Sequence, residues 1–330
     1  MTGPLSEDDL IATLFAPIAG PGALGLKDDA ACITPPAGYD LVVTADAIIS
    51  GVHFLADDPP ETIARKAVRV NVSDLAAKGA DPLGFVMTLA LPSGVPADWL
   101  QTFAATLGDD AARWACPLLG GDTVRTPGPL SISITALGAV PSGSLVARTG
   151  AKPGDLVYVS GFIGDAALGL RVRMRDAAWV ERISDASYDY LLGRFLYPQP
   201  RLALAPVLRE YASGAMDVSD GLVGDLAKMM KASGCGARIE LSRVPLSDAV
   251  RAAMRMEAAL FDMALTGGDD YEILCTVAPM NAAAFESAAR AVSVPVARIG
   301  QVNEHAQSSV VFLESGGARK IFARGSYSHF

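Results

Sequence analysis

Aspartate recurs at the edges of apolar runs throughout this chain, and that pattern constrains the fold more than any other feature. Asp28-Asp29, Asp46, Asp74, Asp122, Asp217 with Asp220, and Asp269-Asp270 nearly all sit beside Gly, Ser or Thr. An unpaired carboxylate at the border of a core costs on the order of several kcal/mol. Few fixed cations lie near these positions in sequence: Lys27, Lys78 and Arg125. Divalent ions are the economical partner, and hard all-oxygen ligands select Mg2+ or a close substitute. Mg2+ on scattered aspartates points to phosphate chemistry. The net charge of −9 fits that reading, because an acidic phosphate-binding protein needs metal ions for its positive charge. The same charge argues against nucleic acid and anionic membranes as partners.

At 330 residues, 51% hydrophobic and 19% charged, the chain is long enough for two globular domains. No apolar run approaches the ~20 residues that span a bilayer. The first residues, MTGPLSEDDL, lack the basic region of a signal peptide. Cys32, Cys116, Cys235 and Cys275 form no CxxC, so neither a zinc site nor a redox pair is expected. Reduced thiols in a cytoplasmic protein are the simpler reading. The Gly-, Pro- and Ser-rich stretch PSGSLVARTGAKPGD (141–155) places a domain boundary there, giving domains 1–143 and 144–330.

The fold class expected is α/β (α+β). LVVTAD (41–46) reads as a buried strand ending at Asp46. FVMTLAL (85–91) and SISITALG (131–138) alternate with period 2, as half-buried antiparallel strands do. Residues 96–115 have helical spacing. DLVYVSG, ARIEL, EILCTV and PVARIGQV are the clearest strands of the second half. In the helix predicted over 61–79, Ile63, Ala67, Val70, Asp74 and Ala77 share one face. Asp74 therefore lies on the apolar stripe, with Gly79 as a C-terminal stop.

DVSDGLVGDLAKMMKASG (217–234) puts Asp217 at a strand end and Ser219 as a natural N-cap, and the helix start offers backbone N–H groups to a phosphate. GGDT (120–123) and TGGDDYE (266–272) place carboxylates after two glycines, which allow close approach and positive φ. Each of these reads equally as a local cap or turn. Gly20, Gly22 and Gly25 satisfy GxGxxG without a preceding strand, and the P-loop order GK[ST] is missing, so neither common nucleotide fingerprint is present. His53, His305 and His329 form no metal-ligand spacing.

Together, GLKDDAA, VVTADAIISGVHF, KAVRVNVSDLAAKGADP, GGDTVR, RTGAKPGD, DVSDGLVGDL and LTGGDDYE resemble bacterial thiamine-monophosphate kinases. These belong to the superfamily of aminoimidazole ribonucleotide synthetase. The resemblance runs from about residue 24 to 275, with a weaker echo at SYSHF. It implies a homodimer whose N-terminal mixed sheets pair into a shared barrel, and a C-terminal α/β domain closing over ATP. It implies direct transfer of the γ-phosphoryl of ATP to thiamine monophosphate, with several Mg2+ ions. Carried over by position, Asp29, Thr44, Asp46, Asp74, Asp122, Asp217 and Asp220 would bind metal. Gly121, Asp122, Arg148 and Ser219 would contact ATP, and His53, Asp269 and Tyr327 substrate. Lys27, Ala45 and Asp269 depart from the family's usual residues, and none of the three removes a carboxylate from the metal set.

An attacking phosphate oxygen is already ionised near neutral pH, so no side chain is expected to act as acid or base. The alternatives are another ATP-using enzyme of the superfamily, above all one like aminoimidazole ribonucleotide synthetase, a non-catalytic ATP- and metal-binding regulator, or a metal-dependent phosphohydrolase.

Overall fold

The computed structural model describes residues 6–304, 310–323 and 325–326. They form two compact units: residues up to 75 with 80–143, and residues 76–79 with those from 144 onward.

In the first unit a short helix α1 (Glu7–Leu10) precedes a four-stranded sheet of order β1-β4-β2-β3, with β1 at Tyr39–Ile49, β2 at Asp81–Leu91, β3 at Leu118–Arg125 and β4 at Ser131–Pro141. β4 runs antiparallel to both β1 and β2, whereas β2 and β3 are parallel. Helices α2 (Pro60–Ala77) and α3 (Ala97–Arg113) complete the unit. One sheet face is apolar and covered: Ile48, Ile132, Ile134, Ala136, Met87 and Leu89 are all buried. Leu75 of α2 lies so close to β4 that a Cβ at Gly138 would sit 3.0 Å from its side chain. α2 and α3 are joined by a bidentate pair, Arg69 Nε to Asp110 Oδ2 at 2.5 Å and Nη2 to Oδ1 at 3.0 Å. α2 stops where expected, with Gly79 in the left-handed region at φ +71°.

The opposite sheet face carries exposed apolar side chains. Leu41 and Val43 are 48% and 57% exposed, and Tyr39 and Val124 are exposed too.

The second unit is built on a seven-stranded mixed sheet of order β11-β10-β7-β9-β5-β8-β6. Its strands are β5 (Leu156–Ser160), β6 (Ala212–Val218), β7 (Gly236–Glu240), β8 (Glu272–Val277), β9 (Val296–Asn303), β10 (Val310–Leu313) and β11 (Arg319–Lys320). β5 and β8 are buried along their whole length, as strands covered on both faces must be. Val157, Val159, Val218 and Leu274 pack with residues of α4 (Asp165–Met174), α5 (Asp185–Leu196), α7 (Leu222–Ser233), α8 (Asp248–Met256) and α9 (Leu260–Thr266). Leu156, Tyr158, Ile273 and Cys275 pack on the other side with α6 (Ala205–Tyr211) and α10 (Ala282–Ala291).

Three local expectations change. β1 is neither buried over 41–46, where Leu41 and Val43 are exposed, nor ended at Asp46: it continues to Ile49, because residues 47–49 pair with residues 131–133 of β4. GGDT is not a turn but lies within β3. The residue capping α7 is Gly221, not Ser219.

Candidate functional site

On the first unit, β1 and α2 bring three of the expected residues together. Thr44 Oγ1 donates to Asp74 Oδ2 at 2.5 Å. Asn71, one turn earlier on α2, accepts the Asp46 backbone N–H at 3.1 Å and donates to the Ala67 carbonyl. Thr44 and Asp46 are two residues apart and so share one face of the strand. The i, i+4 stripe thus does present Asp74 inward, half-buried, against a hydroxyl. His53 follows in the turn after β1. Its N–H donates to the Ile49 carbonyl at 2.9 Å, its carbonyl accepts from Lys66 Nζ at 3.0 Å, and its Nδ1 accepts the Ile49 N–H at 3.1 Å. With Nδ1 accepting, a neutral ring carries its proton on Nε2.

Asp122 lies apart from that group. Asp122 pairs with Thr88, Thr88 with Ser133, and Ser133 with Ala47. That row is one step out of phase with Asp46, so strand alternation puts the two carboxylates on opposite faces. Gly121 has φ +156°, and a Cβ there would lie 1.8 Å from the Met87 carbonyl oxygen, so its bare backbone is what lets β3 pair with β2. Asp28 and Asp29 are exposed. Among the described residues no group of three or more His, Cys, Asp or Glu side chains is placed to hold a metal ion. The donors present are nonetheless all oxygen, the set a hard cation takes.

On the second unit, β6 delivers Asp217, which is buried, and then turns through Ser219, Asp220 and Gly221 into α7. Asp225 on the first turn of α7 is fully buried and accepts the Asp220 N–H at 2.9 Å. Lys228 Nζ bridges the two carboxylates, contacting Asp220 and, at 2.9 Å, Asp225. Burial pulls the Lys228 ammonium down, but the bonds to Asp220 and Asp225 outweigh it and hold it above its ordinary value. A cation therefore already sits on Asp220. Arg148 is exposed, in a short turn whose carbonyl accepts from Ser233 Oγ at 3.1 Å.

The 267–271 loop lies directly against the 218–221 turn. Asp269 N–H donates to the Ser219 carbonyl at 2.8 Å, and Tyr271 N–H to the Val218 carbonyl at 2.9 Å. The glycines make this approach possible: a Cβ on Gly268 would lie 2.3 Å from the Ser219 oxygen, and one on Gly267 2.4 Å from Ala167 Cβ. Asp269 at φ +70° and Tyr271 at φ +51° are left-handed without being glycine, which costs on the order of 1–3 kcal/mol each. Between them Asp270 is buried, with Oδ2 accepting Gly164 N–H at 2.7 Å and Oδ1 accepting Ala166 N–H at 3.2 Å. Burial pushes its carboxyl well above the ordinary range, against these two bonds. Glu272 accepts from Ser160 Oγ at 2.6 Å, Arg194 Nη2 at 3.0 Å and Arg201 Nε at 2.6 Å.

Residues 27–140 match the family described as AIR synthase related protein, N-terminal domain, and residues 152–312 match the corresponding C-terminal domain. The thiamine-monophosphate kinase of Caulobacter vibrioides is 45% identical over 306 residues, covering 91% of this chain and 85% of that protein. The chain belongs to the thiamine-monophosphate kinase family. The Escherichia coli K12 member is 41% identical over 307 residues, covering 93% of this chain and 92% of its own length. The crystal structure of the kinase from Stenotrophomonas maltophilia K279a superposes with a TM-score of 0.79 at 38% identity, covering 87% of this chain and 89% of that one. AaThiL complexed with AMPPCP and TMP gives a TM-score of 0.78 at 26% identity, covering 98% and 94%.

In this kinase-family member the sequence reading overlooked the groups that hold the site carboxylates. Asp225 and Lys228 fall on one face of α7 with Asp220 just before it, a three-residue spacing that the repeated acids obscured. Lys78, counted among nearby cations, donates instead to the Ala215 carbonyl at 2.7 Å. Arg194 and Arg201, remote in sequence, are cations that meet Glu272 of the GGDDYE segment. The premise that these aspartates border a core holds for Asp217 and Asp270, whereas Asp29, Asp46 and Asp122 are exposed. Tyr327 lies outside the described residues.

Proposed function

We propose that this protein transfers the γ-phosphoryl of ATP to thiamine monophosphate, giving thiamine diphosphate and ADP. The observation that carries it is near-full-length similarity to thiamine-monophosphate kinases at 41–45% identity. The likeness to AaThiL in complex with AMPPCP and TMP supports it. We assign metal binding on the first unit to Thr44, Asp46 and Asp74, which adjoin one another, and extend it to Asp29 and Asp122 on the resemblance alone. On the second unit Asp217 and Asp220 take that role. Gly121, Asp122, Arg148 and Ser219 are assigned to ATP, and His53, Asp269 and Tyr327 to substrate. Bound Mg2+ would supply screening of the repulsion between two anions and stabilise charge on the transferring group.

The chain's own residues contribute orientation. His53 is held at three atoms in the turn after β1, which fixes its ring. The paired 218–221 and 267–271 segments hold Ser219, Asp220 and Asp269 as one surface. No general base is assigned, because the acceptor phosphate is already ionised near neutral pH. We also propose a homodimer formed through the exposed apolar face of the first sheet, in which two such faces close a barrel, and a cytoplasmic location.

The test is a coupled ADP-release assay with ATP and Mg2+, run with thiamine monophosphate, with free thiamine, and with neither. ADP and thiamine diphosphate forming only with thiamine monophosphate is the expected result. ADP release independent of acceptor would mean a phosphohydrolase, and silence in all three would overturn the kinase reading.

A further inference from the structure

Asp270 sits between two residues forced into the left-handed region, and the structure holds it in place from beneath. Backbone strain in an L-residue with a bulky side chain persists only where the surroundings over-determine it. Here they do so at three levels. The N–H groups on either side of Asp270 are spent on the Ser219 and Val218 carbonyls. The Asp270 carboxylate takes the Gly164 and Ala166 N–H groups at the start of α4. Two residues on, the Glu272 side chain is fixed by Ser160, Arg194 and Arg201. The one acid of this segment left at the surface is Asp269, half-buried, and the Tyr271 hydroxyl donates to its Oδ1 at 3.3 Å.

A bare helix cap would explain the bonds from Asp270 to α4. It would not explain why the residues flanking that cap are strained while Asp269 is turned outward and gripped by Tyr271. We propose that Asp270 and Tyr271 are positioning residues for Asp269: Asp270 anchors the strained segment to α4, and the Tyr271 hydroxyl sets the direction of the Asp269 carboxylate. The inference rests on the reading of Asp269 as a substrate contact. Displacing an oriented group by about an ångström costs up to ~100-fold in rate, so loss of either anchor acts more strongly on thiamine monophosphate than on ATP.

Michaelis constants for both substrates, measured separately with Asp269→Ala, Asp270→Asn, Tyr271→Phe and the doubles Asp269→Ala/Asp270→Asn and Asp269→Ala/Tyr271→Phe, decide it. Asp269→Ala is expected to raise KM for thiamine monophosphate about tenfold or more, leaving KM for ATP within about twofold. Asp270→Asn and Tyr271→Phe shift the same constant in the same direction. Each double is no worse than Asp269→Ala alone, because a residue acting only through Asp269 has nothing left to position. Should Asp270→Asn fail to fold, Tyr271→Phe carries the test, since it removes one oxygen from a packed ring. Effects that multiply in the doubles, or that raise both Michaelis constants equally, overturn the proposal, as does an unaltered constant in Tyr271→Phe. An unaltered constant in Asp269→Ala itself overturns the substrate-contact reading, and the positioning role falls with it.

Discussion

Asp74 shows how much one side chain's neighbourhood decides. It projects from the inner stripe of α2, and a threonine hydroxyl from β1 bonds to it. An amide oxygen can accept that bond equally well, so Asp74→Asn keeps the contact and removes the charge. We therefore expect Asp74→Asn to lose activity by about 100-fold or more, the scale on which a missing electrostatic stabiliser acts, with an unchanged melting temperature. Near-normal turnover at saturating Mg2+ would count against a metal role. The periodicity of 61–79 made the inward direction of Asp74 legible. That Thr44 would be its partner depended on strand register, which no local pattern reports.

At the scale of elements, β3 is where sequence and structure part most clearly. A double glycine followed by Asp reads locally as a turn, yet GGDT is paired to β2 along its length. Tertiary pairing overrides the low strand propensity of glycine. Gly121 supplies the reason, because any side chain there would collide with the Met87 carbonyl. Gly121→Ala should thus cost about 2 kcal/mol or more through strain at positive φ and lost ladder bonds, read as a lowered midpoint in urea unfolding. An unshifted midpoint would show that β3 relaxes without penalty. The turn into α7 makes a related point: Asp220 is placed not by a capping serine but by a buried aspartate five residues on, with Lys228 across both.

For the whole molecule, the first sheet has one largely covered face and an opposite face on which Tyr39, Leu41, Val43 and Val124 are exposed, and exposed apolar surface rimmed by polar residues marks an association site. If two copies pair through it, Val43→Asp, which puts a charge at a 57% exposed position, should convert the protein to a monomer without unfolding it. Light scattering coupled to gel filtration reads this directly. A variant that keeps the mass of the wild type would remove that face from the interface.

The residue pattern by itself determined a mixed α/β chain whose carboxylates cluster with Gly, Ser and Thr at the ends of apolar runs. It also determined the family, because the motifs recur in order along most of the length. Helix periodicity and strand alternation are local, so α2, β4, β5 and β8 were visible without a fold. Tertiary structure alone decided which acids are neutralised from within and which face solvent. Glu272 meets Arg194 and Arg201 from more than seventy residues away, and Asp122 falls on the opposite sheet face from Asp46 through the pairing of four strands. Charge pairing and strand register are set by contacts distant in sequence, and only the folded chain brings those partners within reach.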